Sequence, residues 1–303
     1  MKQFSKKIAT IFLFSMMTYS VDVYAWGAKP PVIAPPAQST PVNPAPPPVL
    51  TAGKFIDQIS TLAANSSCAK YSWKNRGRAP AGYIKGVSLS FARSLCRLKT
   101  SEPNPTALAN LMSRADTRND TKDALTHYES AFANLGMDIS YAGADTLRTL
   151  YTLGIGLGMR ESSGSYCVGW DTSAGSNRPS SAGEAGAFQT SYDSMGNSPE
   201  LRKLYNEYLA KTGKCLLSTF KLGASCNNNG ALGTGAGADY QRFNIACPAF
   251  ATEYAMTMLR IARSHYGPIN RREAEVQPIC NKLLLDVQTL VESNQQAACD
   301  EIL

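Results

Sequence analysis

The sequence predicts a mainly helical domain with a small β or loop region, stapled by disulfides. Three observations predict it. Apolar residues recur at helical spacing through most of the chain, strand-like alternation is scarce, and eight cysteines follow an export signal. Of the 303 residues, 44% are apolar and 17% charged, which is enough to build a core and excludes wholesale disorder.

Residues 1–25 read as a signal peptide. Lys2, Lys6 and Lys7 precede an apolar run from Ile8 to Met17, and Val23-Tyr24-Ala25 places a small residue before the cut. The run is too short to span a bilayer. No later segment has the roughly 18 uninterrupted apolar residues a spanning helix needs, so no stable membrane insertion is expected. Residues 26–50 follow as a proline-rich linker. Nine of the 17 prolines lie between Pro30 and Pro48, and such a segment adopts extended polyproline geometry rather than a core. It reads as a spacer more readily than as a ligand for proline-binding modules.

Residues 51–303 then form a single domain, with N- and C-terminal helical extensions around its centre. Phe55, Ile56, Ile59, Leu62 and Ala63 repeat at helical spacing, and Asn65-Ser66-Ser67 is a polar stop. Gly86, Pro103 and Pro105 leave the stretch from Tyr83 to Ala115 unassigned. Asp120 to Leu135 carries Ala124, Leu125, Tyr128, Ala131, Phe132 and Leu135 on one stripe. Ala144 to Met159 is the strongest helix, with Leu147, Leu150, Tyr151, Gly154 and Leu157. Cys247 to Ala262 and Glu273 to Val291 are two more. Ahead of these two, Asn227 to Gly237 reads as a flexible small-residue loop; it lacks the strand-to-helix context of a phosphate cradle.

An even number of cysteines in an exported chain favours disulfides, here up to four. Proximity in sequence points to Cys215 with Cys226 and Cys280 with Cys299. No C-x-x-C pair occurs and the two histidines, His127 and His265, are isolated, so no metal or cofactor is expected. A serine triad is disfavoured because no G-x-S-x-G elbow is present. The formal charge of +7 loses three lysines and Asp22 with the signal peptide, leaving +5. The remaining cations neither cluster nor interleave with aromatics, so nucleic acid is not an expected partner.

The chemistry concentrates in residues 160–193. The strongest helix ends in Arg160-Glu161-Ser162-Ser163-Gly164, which places a glutamate half in core and half in solvent. Burial disfavours a charged carboxyl and raises its pKa, as a general acid at neutral pH requires. Gly169-Trp170-Asp171 follows, then a Ser/Gly/Pro-rich loop, then Gly183-Glu184-Ala185-Gly186-Ala187-Phe188-Gln189-Thr190-Ser191. The carboxylates on these loops, unlike Glu161, are expected to remain ionised. Two acids in contrasting environments divide acid and base roles in glycoside-cleaving sites. Taken alone, a glutamate after a helix is an ordinary solvated residue; its position near the negative end of the helix dipole is the local oddity.

In this segment the sequence resembles the lysozyme-like superfamily, in particular goose-type lysozymes and soluble lytic transglycosylases. These families carry a catalytic glutamate in an E-S motif at a helix end and a G-x-x-Q segment lining the cleft. Arg160-Glu161-Ser162 and Gly186-Ala187-Phe188-Gln189 match in order and spacing. Gly169, Trp170 and Asp171 resemble a glycine–tryptophan pair and an aspartate of the goose-type pattern. Its further aspartate, two residues after the glutamine, is Ser191 here; the nearest acid is Asp193. The transglycosylases' later A-Y-N segment has only a weak counterpart in Tyr240 to Asn244.

The resemblance implies a lysozyme-like helical domain that cleaves the β-1,4 bond of a polysaccharide, peptidoglycan foremost, in the periplasm or outside the cell. Glu161 takes the role of general acid. The water-activating group is Asp171, Glu184 or Asp193 in a hydrolase; in a transglycosylase the sugar's own 6-hydroxyl attacks and no second acid is needed. Gln189 and Tyr192 are expected to hydrogen-bond the sugar, Trp170 or Phe188 to stack on it, and Tyr240 to line the same site. Two alternatives accompany this expectation. One is a non-catalytic glycan-binding or cell-envelope structural protein; the other is the same fold acting on chitin or chitosan.

Overall fold

The computed structural model describes residues 54–100, 103–172, 175, 177–226 and 230–303. The expected signal peptide and proline-rich linker lie outside the described residues.

The first helix, α1 (Phe55–Asn65), stops at the polar triplet as the pattern requires. The Ser66 hydroxyl there accepts the Ala69 N–H and caps α2 (Ser67–Lys70). A short antiparallel hairpin follows, β1 (Ser72–Trp73) with β2 (Gly77–Arg78). The unassigned stretch then turns out to hold two helices, α3 (Ala81–Lys99) and α4 (Pro103–Ser113). α3 is buried continuously from Gly82 to Arg97 apart from Lys85, and its polar residues Ser90, Arg93, Ser94 and Arg97 are buried too, so they mark no solvent-facing stripe. α5 (Ala124–Asn134) is capped by Asp123, whose carboxylate accepts the Leu125 N–H at 2.9 Å.

α6 (Ala144–Ser162) is the strongest helix of the sequence and is buried over most of its length. A second hairpin, β3 (Glu184–Ala185) with β4 (Thr190–Ser191), follows it. Next come α7 (Pro199–Ala210), capped by Ser198, and α8 (Leu217–Phe220). α9 (Ala236–Ala246) begins inside the stretch expected to be a flexible loop. Its start is fixed by Gly237, where a side chain would come within 2.3 Å of the Ser181 backbone nitrogen. Residues 227–229 of that stretch lie outside the described residues. α10 (Pro248–Ile261), α11 (Gly267–Asn270), α12 (Pro278–Ser293) and α13 (Gln295–Ile302) complete the chain.

α3 is the hub: it packs against α1, α4, α6, α8, α10, α12 and α13. α12 also lies along α6, so the end of the chain closes over its middle. No helix among the described residues is long and apolar enough to cross a membrane. Two ion pairs are sealed in this core, Arg260 with Asp123 and Arg97 with Glu253, and Arg97 also reaches the partly exposed Glu207. Removing one partner strands a buried charge, which costs about 3–5 kcal/mol.

All eight cysteines are paired, but not as sequence proximity suggested. The bridges are Cys68–Cys280, Cys96–Cys299, Cys167–Cys226 and Cys215–Cys247. Cys280 lies on α12 against α2, whereas Cys299 lies on α13 against α3. Neighbouring cysteines on successive helices therefore face different partners, and tertiary packing decides the pairing. Cys215 meets the start of α10, where the Ala249 N–H also bonds its carbonyl at 3.1 Å. Four disulfides suit an oxidising compartment.

Candidate active site

Helix α6 delivers Glu161 on its last turn. Ser163 then enters the left-handed region at φ 54°, reversing the chain, and the N–H groups of Ser163 and Gly164 bond the carbonyls of Met159 and Gly158. The Ser162 hydroxyl donates to the Ala187 carbonyl at 2.8 Å and the Gly158 carbonyl at 3.1 Å. The E-S motif therefore touches the Gly186–Gln189 turn directly. Gly158 permits the approach: a side chain there would meet the Tyr83 hydroxyl at 2.2 Å and the Phe188 ring at 3.0 Å.

Glu161 is half-buried. Burial first, and the negative Glu184 second, raise its carboxyl from the ordinary 4.5 to about 7. Arg76, Arg271 and Arg160 oppose the rise. Two of those arginines are already engaged, Arg160 and Arg271 both donating to Glu273. Glu161 thus holds its proton near neutrality, as the sequence reading expects.

Glu184 departs from expectation. It is half-buried on β3 rather than solvated on a loop, and burial pushes its carboxyl upward, against the charges of His265 and Arg178. His265 Nε2 lies 3.7 Å from its Oε1 and 3.2 Å from the Gln189 carbonyl oxygen. In the β3–β4 ladder Glu184 is paired with Ser191, so their Cβ atoms stand about 4.5–5.5 Å apart. The acid missing at 191 is matched by one on the facing strand. Asp171 is exposed and raises the Glu184 carboxyl further, which places it on that side of the site. Asp193 is exposed and accepts the Ser181 hydroxyl at 3.2 Å.

The other expected residues separate into two groups. Gln189, Tyr192 and Trp170 are half-buried; Gln189 and Tyr192 flank β4, whereas the Trp170 N–H bonds the Gly230 carbonyl at 3.1 Å. Gln189 sits at φ 46°, and its amide nitrogen donates to the Gly186 carbonyl at 2.9 Å, so the side chain braces its own turn. Tyr192 packs against Tyr240 with Arg202 over its ring. Phe188 and Tyr240, in contrast, are 1% and 0% exposed. Neither can stack on or bond a ligand, which corrects both assignments. Phe188 fills the space beside Tyr83, and the Tyr240 hydroxyl shares a 3.0 Å hydrogen bond with Thr190. Asn244 meets the same Thr190 at 3.3 Å, so Tyr240 and Asn244 support the hairpin from behind.

Four residues that act on the two carboxyls or are acted on by them escaped the sequence reading: Arg76, His265, Tyr266 and Arg271. His265 is isolated in sequence but not in space. Tyr266 is 1% exposed, and its hydroxyl has no hydrogen-bond partner among the described residues. Burial chiefly raises its pKa, and Glu161 and Glu184 both add to the rise, which puts it near the two carboxyls. No local pattern marks these positions; they come from segments far from residue 161. Among the described residues no three His, Cys, Asp or Glu side chains converge as metal ligands do.

Chemically, the site pairs a carboxyl that keeps its proton near pH 7 with a second carboxyl balanced by an imidazole and a guanidinium. Such a pair can protonate a leaving group and accept a proton from a nucleophile. No protein family, no curated protein and no solved structure matches the chain.

Proposed function

We propose that the protein is an exported enzyme that cleaves β-1,4 glycosidic bonds, with peptidoglycan as its substrate and a lysozyme-like arrangement of its helices. The observation that carries this reading is Glu161: a carboxyl raised to about 7 by burial at the end of a core helix, beside a second carboxyl. The resemblance of the E-S and G-x-x-Q motifs supports it, and so does their direct contact through the Ser162 hydroxyl.

Glu161 protonates the glycosidic oxygen as the bond breaks. In the hydrolytic branch Glu184, steadied by His265, accepts a proton from the attacking water, and the product has a reducing end. Burial of Glu184 weakens that role by favouring its neutral form. This favours a second branch, the lytic transglycosylase, in which the sugar's 6-hydroxyl attacks, Glu161 recovers the proton and the product is 1,6-anhydro. Incubation of purified sacculi with the protein, followed by mass spectrometry of the fragments, separates the branches. Glu161→Gln abolishes both products while the protein stays folded. Equal cleavage by the variant and the unmodified protein refutes the proposal; sacculus binding without any cleavage selects a glycan-binding protein instead.

A further inference from the structure

The β1–β2 hairpin presents Lys74, Arg76 and Arg78 to solvent. None of the three is ion-paired among the described residues, unlike Arg160 and Arg271 nearby. Solvated cations are common on surfaces, but this hairpin is fastened. Trp73 is 2% exposed and meets Tyr71 edge-on at 5.1 Å. The Tyr71 hydroxyl and the Lys74 N–H both donate to Glu275 at 2.8 Å. Asn75 at φ 60° and Gly77 at φ 69° close the turn.

Glu275 is itself seated on the catalytic helix. A side chain at Gly156 of α6 would lie 2.2 Å from the Glu275 carbonyl oxygen. Two residues earlier, Glu273 binds Arg160, the neighbour of Glu161, at 3.0 Å. The hairpin is therefore anchored to the segment that covers the last turns of α6. The Glu275 clasp thus sets the hairpin's cations toward the end of α6 that carries Glu161, and Arg76 acts electrostatically on that acid.

We infer that Lys74, Arg76 and Arg78 form a subsite for carboxylate groups carried by the glycan, held beside the cleavage point by the anchored hairpin. The inference rests on the reading of the cleft as a glycan-cleaving site. Peptidoglycan offers such carboxylates on its peptide stems and, once the stems are removed, on the lactyl groups of the sugar. Chitin offers none, so the subsite favours the peptidoglycan strand.

Sedimentation with purified sacculi tests this, using the full mature chain carrying Glu161→Gln so that the glycan stays intact. Adding Lys74→Gln, Arg76→Gln and Arg78→Gln is expected to weaken binding about tenfold at low salt. The same loss is expected when the sacculus carboxyls are capped as ethanolamine amides, and the two losses do not add. A control with Lys122→Gln, Lys211→Gln and Lys221→Gln, three exposed cations outside the hairpin, is expected to retain binding. Soluble glycan strands released by amidase, added as competitors, then assign the source: displacement from intact sacculi points to the lactyl groups, no displacement to the stems. Undiminished binding by the hairpin variant, or an equal loss in the control, overturns the subsite. Thermal unfolding verifies that both variants fold. Failure of the unmodified protein to cleave sacculi is a separate result and overturns the catalytic reading.

Discussion

Replacing Glu161 with glutamine is expected to stabilise the protein at alkaline pH while abolishing turnover. The Glu161 carboxyl has an ordinary value of 4.5 and is raised to about 7 in the folded chain, chiefly by burial. A raised carboxyl costs nothing below 4.5, where both states are protonated. As pH rises toward and through about 7, the unfolded chain ionises more readily, and the wild-type fold loses stability. The difference corresponds to about 3 kcal/mol once both states are ionised. Glutamine is nearly isosteric and never ionises, so the variant escapes that loss. Thermal unfolding of both proteins measures it, at about pH 4 and about pH 8.5. At the acid pH the two should melt within about 1–2 °C of each other. At the alkaline pH the variant should melt about 6–12 °C higher, using the usual dependence for domains of this size. Other titrating groups are shared by both proteins and cancel in the comparison. A melting difference that is the same at both pH values refutes the account of Glu161 as a carboxyl destabilised by burial. The coupling of gained stability to lost activity is what a functional site held in a costly charge state predicts.

Cleavage of sacculi should fall as pH rises through about 7, because Glu161 gives up the proton it must donate; a flat profile to pH 9 contradicts the assigned acid. Glu184→Gln removes the negative charge that helps raise Glu161, so residual turnover should fall at lower pH than in the wild type, as read from the same profile. Gly156→Ala forces a methyl to within 2.2 Å of the Glu275 carbonyl and should cost about 1–3 kcal/mol in chemical denaturation, with turnover reduced because residues 273–277 are displaced from α6. Cys167→Ser with Cys226→Ser opens a link of sequence separation 59 and should lower stability by up to about 4 kcal/mol; an unchanged denaturation midpoint argues against that bridge as a constraint on the unfolded chain.

The sequence by itself determined the helical class, the end of α1 at its polar stop and the dominance of α6, and it singled out Glu161. These are local properties: apolar spacing over 11 to 19 residues, a cap, and a glutamate at a helix end. It also identified the two motifs that meet, because Glu161-Ser162 and Gly186–Gln189 are short and close in the chain. Tertiary structure alone decided the rest. α3 was unreadable because its polar residues Arg93, Ser94 and Arg97 face buried partners, Tyr208, Tyr151 and Glu253, rather than solvent. Phe188 and Tyr240 look like ligand-facing aromatics until packing buries them behind the hairpin. The disulfides, His265 beside Glu184 and the clasp of Glu275 on Tyr71 and Lys74 join segments far apart in the chain. Local preference acts on neighbours within a few residues, whereas a pKa, a bridge or a subsite depends on whatever the closed core brings alongside. The acid is legible in the sequence; what makes it an acid at neutral pH is the fold.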